Sequence, residues 1–313
     1  MGRSKKNKKF LLSIVIPVYN EKKLIKKSIS EIKKVLEKQE YSYEFVLVDD
    51  GSTDGSWKEL VELSSETKNF KAIKLSRNFG KEAALCAGLD KAQGDAVVVM
   101  DADLQHPPKT IPKMVKLWLS GDYDVIDGIK KEQGGNRFFA NTFYNLFKKL
   151  AGFDLKDASD FKLLDIQVVE AWRSMPERET FFRAMSFWIG FRRSRVYFTV
   201  PKRLKGSSKW SLFKLFKLAL GAITSFSPFP LHLVTFAGWL FFAASVILAI
   251  QTLYMRIMGL ALDGFTTVIL LILITGSLLM ISLGIIGAYI AKIYEEVKRR
   301  PRYIVSETLE GKK

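Results

Sequence analysis

The sequence predicts a mostly parallel, three-layer α/β domain joined to two helices that cross a membrane. Over residues 10–130, strand patterns alternate with amphipathic helix patterns, which gives parallel strands covered by helices on both faces. Val46-Leu47-Val48 and Val97-Val98-Val99 are unbroken apolar runs, as strands buried on both faces require. Residues 231–250 and 264–291 carry no formal charge, and a helix of about 20 apolar residues spans a hydrocarbon core of about 30 Å.

In chain order, Leu11–Val18 reads as the first strand. Its apolar run is short, ends in Pro17-Val18-Tyr19-Asn20 and lacks the cleavage pattern of a secretory signal. Glu21–Lys38 is a helix with apolar positions Leu24, Ile25, Ile29, Ile32, Val35 and Leu36 on one side. Glu44–Val48 is a strand, Ser56–Leu63 a helix, Phe70–Leu75 a strand and Lys81–Ala92 a helix. Ala96–Met100 and Ile111–Leu119 supply a fourth strand and helix. Residues 209–223 mix aromatic and aliphatic positions with lysines, the pattern of a helix lying in a membrane interface. Trp210 and Phe213 then serve as anchors. The membrane helices run over roughly 231–255 and 265–291.

The 313 residues are ample for a core, and 48% hydrophobic with 12% aromatic residues excludes a disordered chain. The lone cysteine, Cys86, rules out an internal disulfide framework and a cysteine-based zinc site, and it reads as a small core residue. Two histidines, His106 and His232, cannot build a multi-histidine metal centre. The formal charge of +17 is concentrated. Arg3, Lys5, Lys6, Lys8 and Lys9 form a basic arm, and Thr180 to Leu262 holds eleven Lys and Arg without one Asp or Glu. Such a block can signify nucleic acid. Its position against two membrane spans, with no recognition fold, points instead to anionic headgroups. Cations crowd before the first span and after the second, so both chain ends face the cytoplasm of an inner or plasma membrane.

In a parallel α/β sheet, ligands bind beyond the carboxyl ends of the strands. At those ends stand Pro17, Tyr19, Asn20 and Glu21; Asp49-Asp50-Gly51-Ser52; Ser76-Arg77-Asn78-Phe79-Gly80; and Asp101-Ala102-Asp103-Leu104-Gln105. Turn chemistry accounts for Gly51, Ser52, Asp54 and Gly55, and Asp49 suits either a turn cap or a ligand contact. It does not account for two acidic pairs and an Arg-Asn on one edge. Neither common glycine-rich phosphate loop is present. A bound diphosphate would therefore need a cation, and Asp101, Asp103 and Gln105 offer Mg²⁺ or Mn²⁺ two carboxylates and a neutral oxygen.

These stretches carry a resemblance. The chain resembles the polyisoprenyl-phosphate glycosyltransferases of glycosyltransferase family 2, the group that includes dolichol-phosphate mannose synthase. It is most similar to the bacterial branch with two C-terminal membrane helices. The likeness lies in Ser13–Glu21, Val48–Ser52, Leu75–Lys81 and Met100–Gln105, and continues through Asp160–Asp165, Pro176-Glu177-Arg178 and Gly206–Trp210. Ile293–Lys298 and Pro301 complete it, so it spans nearly the whole chain in order.

The resemblance implies a GT-A fold and transfer of a hexose from a nucleotide-diphosphate sugar to a membrane polyprenyl phosphate, undecaprenyl phosphate in bacteria. The product would be a lipid-linked sugar for cell-envelope modification. It further implies that Pro17, Tyr19, Glu21, Asp50, Arg77 and Lys81 bind the donor, with Asp101, Asp103 and Gln105 on the metal. Asp160 would face the sugar or act as a base. Arg137, Arg203, Ser208 and Lys209 would take the acceptor phosphate, and the relatives suggest a homotetramer packed through the membrane helices. UDP-glucose, UDP-N-acetylglucosamine and GDP-mannose all remain open as donors.

The chain departs from the family pattern in three places. His106 follows the Gln where an acid is common, and reads as a structural residue opening the next helix. Lys162 replaces an Arg and so lacks the bidentate fork. Ala140 stands where a Ser is frequent. The rival readings are a processive polysaccharide synthase, whose Q-x-x-R-W element is missing, and a membrane-anchored sensor or scaffold that binds nucleotide sugars without turnover. The expected organisation is a basic arm at 1–9 and a catalytic domain at 10–200. A basic acceptor loop and juxtamembrane helix occupy 201–228, a two-helix membrane domain 229–291, and a cytoplasmic tail 292–313.

Overall fold

The computed structural model describes residues 9–131, 159–178, 180–199, 229–259 and 264–311. These fall into two compact units, one comprising the described residues up to 199 together with 300–311, the other the helices between them.

The first unit is an eight-stranded sheet with helices on both faces. Its elements follow the order β1 (Leu11–Val18), α1 (Ile25–Leu36), β2 (Ser42–Asp49), α2 (Ser56–Glu66), β3 (Phe70–Leu75), α3 (Lys81–Lys91), β4 (Ala96–Val99) and α4 (Ile111–Leu119). Then come β5 (Val125–Lys130), β6 (Lys162–Asp165), α5 (Ile166–Ser174), α6 (Phe182–Trp188) and β7 (Arg193–Phe198). The strand order is β7-β5-β6-β4-β1-β2-β3-β8, where β8 is Val305–Glu310. The central β4-β1-β2-β3 block is parallel, as the strand–helix alternation predicts. Antiparallel pairing enters outside it, where β6 runs against β4 and β5, and β8 against β3.

Packing follows the sequence pattern. Val46, Leu47, Val48, Val97, Val98 and Val99 are all fully buried, because both sheet faces are covered. Ile25, Ile29, Ile32 and Leu36 recur at helical spacing and bury the sheet-facing side of α1. That helix begins at Ile25 rather than Glu21, since residues 22–24 form a turn in which the Glu21 carbonyl accepts from Leu24 and Ile25. Helix α3 is buried from Ala83 to Leu89. It lies close to the sheet at Gly88, where a Cβ would stand 2.4 Å from Val15 Cγ1. Cys86 is in this core with no exposed surface.

The second unit holds α7 (Phe229–Ile257) and α8 (Phe265–Val297). Both are long and apolar enough to cross a membrane. Their large apolar side chains face outward: Phe236 is 69% and Met280 70% exposed, the arrangement of helices whose solvent is hydrocarbon. Helix α8 extends past the charge-free run to Val297. The segment read as a tail, 292–313, thus contains the end of α8 and an edge strand of the eight-stranded sheet.

Candidate active site

The carboxyl ends of β1, β2, β3 and β4 gather the residues that the sequence singles out. After β1, Asn20 takes a positive φ of 55°, which Asn tolerates. It locks onto the β2–α2 loop: its N–H donates to Ser52 Oγ (2.9 Å) and its Oδ1 accepts from Thr53 N–H (2.9 Å). The Glu21 N–H donates to Ser56 Oγ. The Glu21 carboxyl titrates higher than usual through burial, with the charges of Asp103, Asp54 and Asp101 adding to it. Tyr19 is 48% exposed.

Asp49 and Asp50 have different surroundings. Asp49 is fully buried; its Oδ1 accepts weakly from Ser52 N–H (3.3 Å) and its buried Oδ2 meets no protein donor. Asp50 accepts from the N–H groups of Phe79 (2.7 Å) and Gly80 (2.9 Å), so it clamps the loop after β3. Burial raises both carboxyls. Between them and that loop lies Gly51, at φ +68°, where a Cβ would fall 2.4 Å from the Arg77 carbonyl carbon. Arg77 itself rests on the Phe79 ring, 4.1 Å from its centroid, and donates to the Asn78 carbonyl.

The Asp101–Gln105 loop makes a tight turn. Leu104 sits at φ +58°, an uncommon conformation for a residue with a branched side chain. The turn is held by Gln105 N–H donating to Asp103 Oδ1 (3.0 Å) and by Asp101 N–H donating to His106 Nδ1 (3.0 Å). His106 is stacked on Phe161, with ring centroids 4.9 Å apart. Burial lowers its pKa and keeps it neutral, as an imidazole accepting at Nδ1 must be. His106 thus reaches back to secure the acidic loop.

Asp160, two residues before β6, is the electrostatic centre. Its Oδ2 lies 2.8 Å from Lys81 Nζ, and Arg183 of α6 approaches it two-pronged, Nε to Oδ1 at 2.7 Å and Nη2 to Oδ2 at 2.9 Å. Burial would raise this carboxyl, but Arg183 and Lys81 outweigh it and hold it well below the usual carboxylate range. Lys81 also pairs with Asp101 Oδ1 at 2.6 Å. Burial would lower the Lys81 pKa, and the Asp160 and Asp101 charges more than offset it.

Behind this group, Glu82 accepts from Phe182 N–H at 2.7 Å, tying α3 to the start of α6, which carries Arg183. Desolvation raises Glu82 to about 7. Lys162 stands apart from the site. It is fully buried, 2.5 Å from Asp127, whose carboxylate also takes the Arg193 guanidinium at 2.8 Å.

The structure therefore brings Glu21, Asp50, Arg77, Lys81, Asp101, Asp103 and Asp160 to one sheet edge. Arg137, Arg203, Ser208 and Lys209 lie outside the described residues, as do Ala140, Trp210 and Phe213. Sequence reasoning missed Glu82 and the roles of Arg183 and His106. Arg183 lies in the acid-free basic stretch, where nothing local separates it from a headgroup contact.

The Asp101–Asp103 pair fits a hard divalent cation. Both are carboxylates at one turn, and Lys81 already places a positive charge against Asp101. Among the described residues no group of three or more His, Cys, Asp or Glu could hold a metal ion. Substrate oxygens and water would have to complete its shell.

The acidic turn and the cation-bound Asp160 carboxylate thus lie together beyond the carboxyl ends of the parallel strands, where such sheets bind their ligands. Residues 13–171 match Glycosyl transferase family 2, and the chain belongs to that family and is a glycosyltransferase. An uncharacterized glycosyltransferase of Synechocystis is 38% identical over 302 residues, covering 95% of each chain. A prophage-derived bactoprenol glucosyl transferase of Shigella flexneri is 34% identical over 311 residues, covering 96% of this chain and 99% of its own. Among solved structures, glucosyl-3-phosphoglycerate synthase from Mycobacterium tuberculosis, in complex with Mn²⁺, UDP-glucose and phosphoglyceric acid, superposes with a TM-score of 0.52. It is 20% identical and covers 69% of this chain and 78% of its own, a likeness that establishes the GT-A fold.

Proposed function

We propose that this enzyme transfers glucose from UDP-glucose to a polyprenyl phosphate, undecaprenyl phosphate, with inversion at the anomeric carbon. The observation that carries this reading is similarity to a bactoprenol glucosyl transferase over 96% of the chain, membrane helices included. A likeness confined to the soluble domain would carry the donor chemistry alone. Mg²⁺ or Mn²⁺, held by Asp101 and Asp103 with Gln105 nearby, would neutralise the departing nucleoside diphosphate.

The protein's own residues do the rest. Pro17, Tyr19, Glu21, Asp50 and Arg77 are the candidates for holding the nucleoside. A phosphate monoester has a second pKa near 6, so at neutral pH the acceptor is already a dianion and needs no general base. Asp160 agrees with that chemistry. A carboxylate held so far below its ordinary range is a poor proton acceptor, so its part is to fix Lys81 and Arg183 and to face the sugar. The acceptor instead needs cations to bring it beside a diphosphate of like charge. Arg137, Arg203, Ser208 and Lys209 are the candidates.

The test uses purified full-length protein in detergent with undecaprenyl phosphate, Mn²⁺ or Mg²⁺, and radiolabelled UDP-glucose, UDP-N-acetylglucosamine and GDP-mannose. Label should enter the organic phase from UDP-glucose and be lost with EDTA. Asp103→Ala should abolish transfer while the protein stays folded and membrane-bound. Lipid label from GDP-mannose alone would replace the donor assignment. No lipid label from any donor, with nucleotide still bound, would favour the sensor reading.

A further inference from the structure

Lys81 sits against Asp101, one of the two carboxylates proposed to hold the metal. Its ammonium contacts Asp101 Oδ1 at 2.6 Å and Asp160 Oδ2 at 2.8 Å, and its side chain keeps 40% of its surface exposed. Asp160 does not depend on Lys81 alone, because Arg183 grips both of its oxygens. Asp101, by contrast, draws its side-chain ion pair from Lys81. A divalent cation on Asp101 would stand within a few ångströms of that ammonium, and the two like charges would repel and weaken its binding. Lys81 is the first residue of α3, directly after the loop that Asp50 clamps. Its long, exposed stem leaves it free to turn toward a diphosphate.

We propose that Lys81 is the resident counter-ion of the empty donor site. Its ammonium occupies Asp101 until the nucleotide diphosphate arrives, so that metal and donor bind as a pair and metal alone binds weakly. The inference rests on the metal-dependent reading above and adds an order of binding to it. The donor's diphosphate supplies the two charges that draw Lys81 off Asp101, leaving that oxygen to the cation. An idle enzyme would then hold little metal.

The experiment follows free Mn²⁺ by its electron paramagnetic resonance signal as full-length protein in detergent is titrated, with and without saturating UDP. It compares wild type, Lys81→Met, Lys81→Gln and Lys81→Arg. In wild type, UDP should tighten Mn²⁺ binding by roughly tenfold or more. Without UDP, Lys81→Met should bind Mn²⁺ roughly tenfold or more tightly than wild type, and the added effect of UDP should shrink. Lys81→Arg keeps the charge and should behave as wild type. Near-UV circular dichroism checks folding, and Lys81→Gln replaces Lys81→Met should the latter not fold. Equal or weaker Mn²⁺ binding in the folded neutral variant overturns the counter-ion role. Failure of wild type to bind Mn²⁺ even with UDP present overturns the metal reading itself.

Discussion

Glu82 shows what one partly buried side chain adds to this site. It accepts the Phe182 N–H and so ties α3 to α6, one residue from Lys81 and one from Arg183. Desolvation raises its pKa from an ordinary 4.5 to about 7 in the folded protein. A raised acid contributes stability that is complete below the unfolded pKa and is lost as pH rises through the folded one. The window is therefore pH 4.5 to about 7, and a gap of that size corresponds to about 3 kcal/mol. Glu82→Gln keeps the acceptor without the charge. It should be more stable than wild type at pH 8, and its stability should change less between pH 5 and 8. Denaturant unfolding followed by tryptophan fluorescence measures both, and an unaltered pH dependence would show that Glu82 ionises freely in the folded protein. Sequence could not reveal this. Glu82 reads as one charge in a helix, and its burial exists only once α6 packs across it. Asp101 and Asp103 were legible because their spacing alone puts both on one turn.

Elements were legible where a single periodicity spoke for them and obscure where a partner decided. The central parallel strands announce themselves in Val46-Leu47-Val48 and Val97-Val98-Val99, since burial on both faces leaves no room for polar residues. Strand β8, Val305–Glu310, carries Ser306, Glu307, Thr308 and Glu310 and is largely exposed, so only its pairing with β3 makes it a strand. It covers an edge that β3 would otherwise present, and the Ser76 N–H donates to the Ile304 carbonyl just before the Arg77 loop. The β2–α2 loop shows the same dependence from the other side. Gly51 is readable as a turn glycine, but its close approach to Arg77 and Asn78 is not. Gly51→Ala would combine a left-handed φ of +68° with a Cβ 2.4 Å from the Arg77 carbonyl carbon, a backbone atom that cannot swing away. The cost should be about 2–4 kcal/mol of unfolding free energy, from strain and overpacking together, with weaker UDP binding because Asp50 and Asp49 move with the loop. Wild-type stability and UDP affinity in that variant would show the loop to be more pliable than its packing implies.

At the scale of the molecule, the sheet itself constrains the membrane topology. Strand β7 precedes α7 in the chain and β8 follows α8, yet both belong to one sheet. A chain that leaves a sheet and later rejoins it has crossed any bilayer an even number of times. The two apolar helices, each long enough to span, would supply that number. The excess of Lys and Arg outside the two spans is an independent observation, and from it we propose that the sheet faces the cytoplasm. The lone native thiol makes the prediction easy to test, because Cys86 is fully buried and desolvation raises its pKa, so it should stay silent toward maleimides. A cysteine introduced by Gly259→Cys, between the two helices, should react in intact cells with a membrane-impermeant maleimide. One introduced by Ser306→Cys on β8 should react only after the membrane is opened. Labelling of position 306 from outside would reverse the orientation. Equal labelling of both positions in intact cells would mean that the chain crosses once, and that the sheet is completed in some other way.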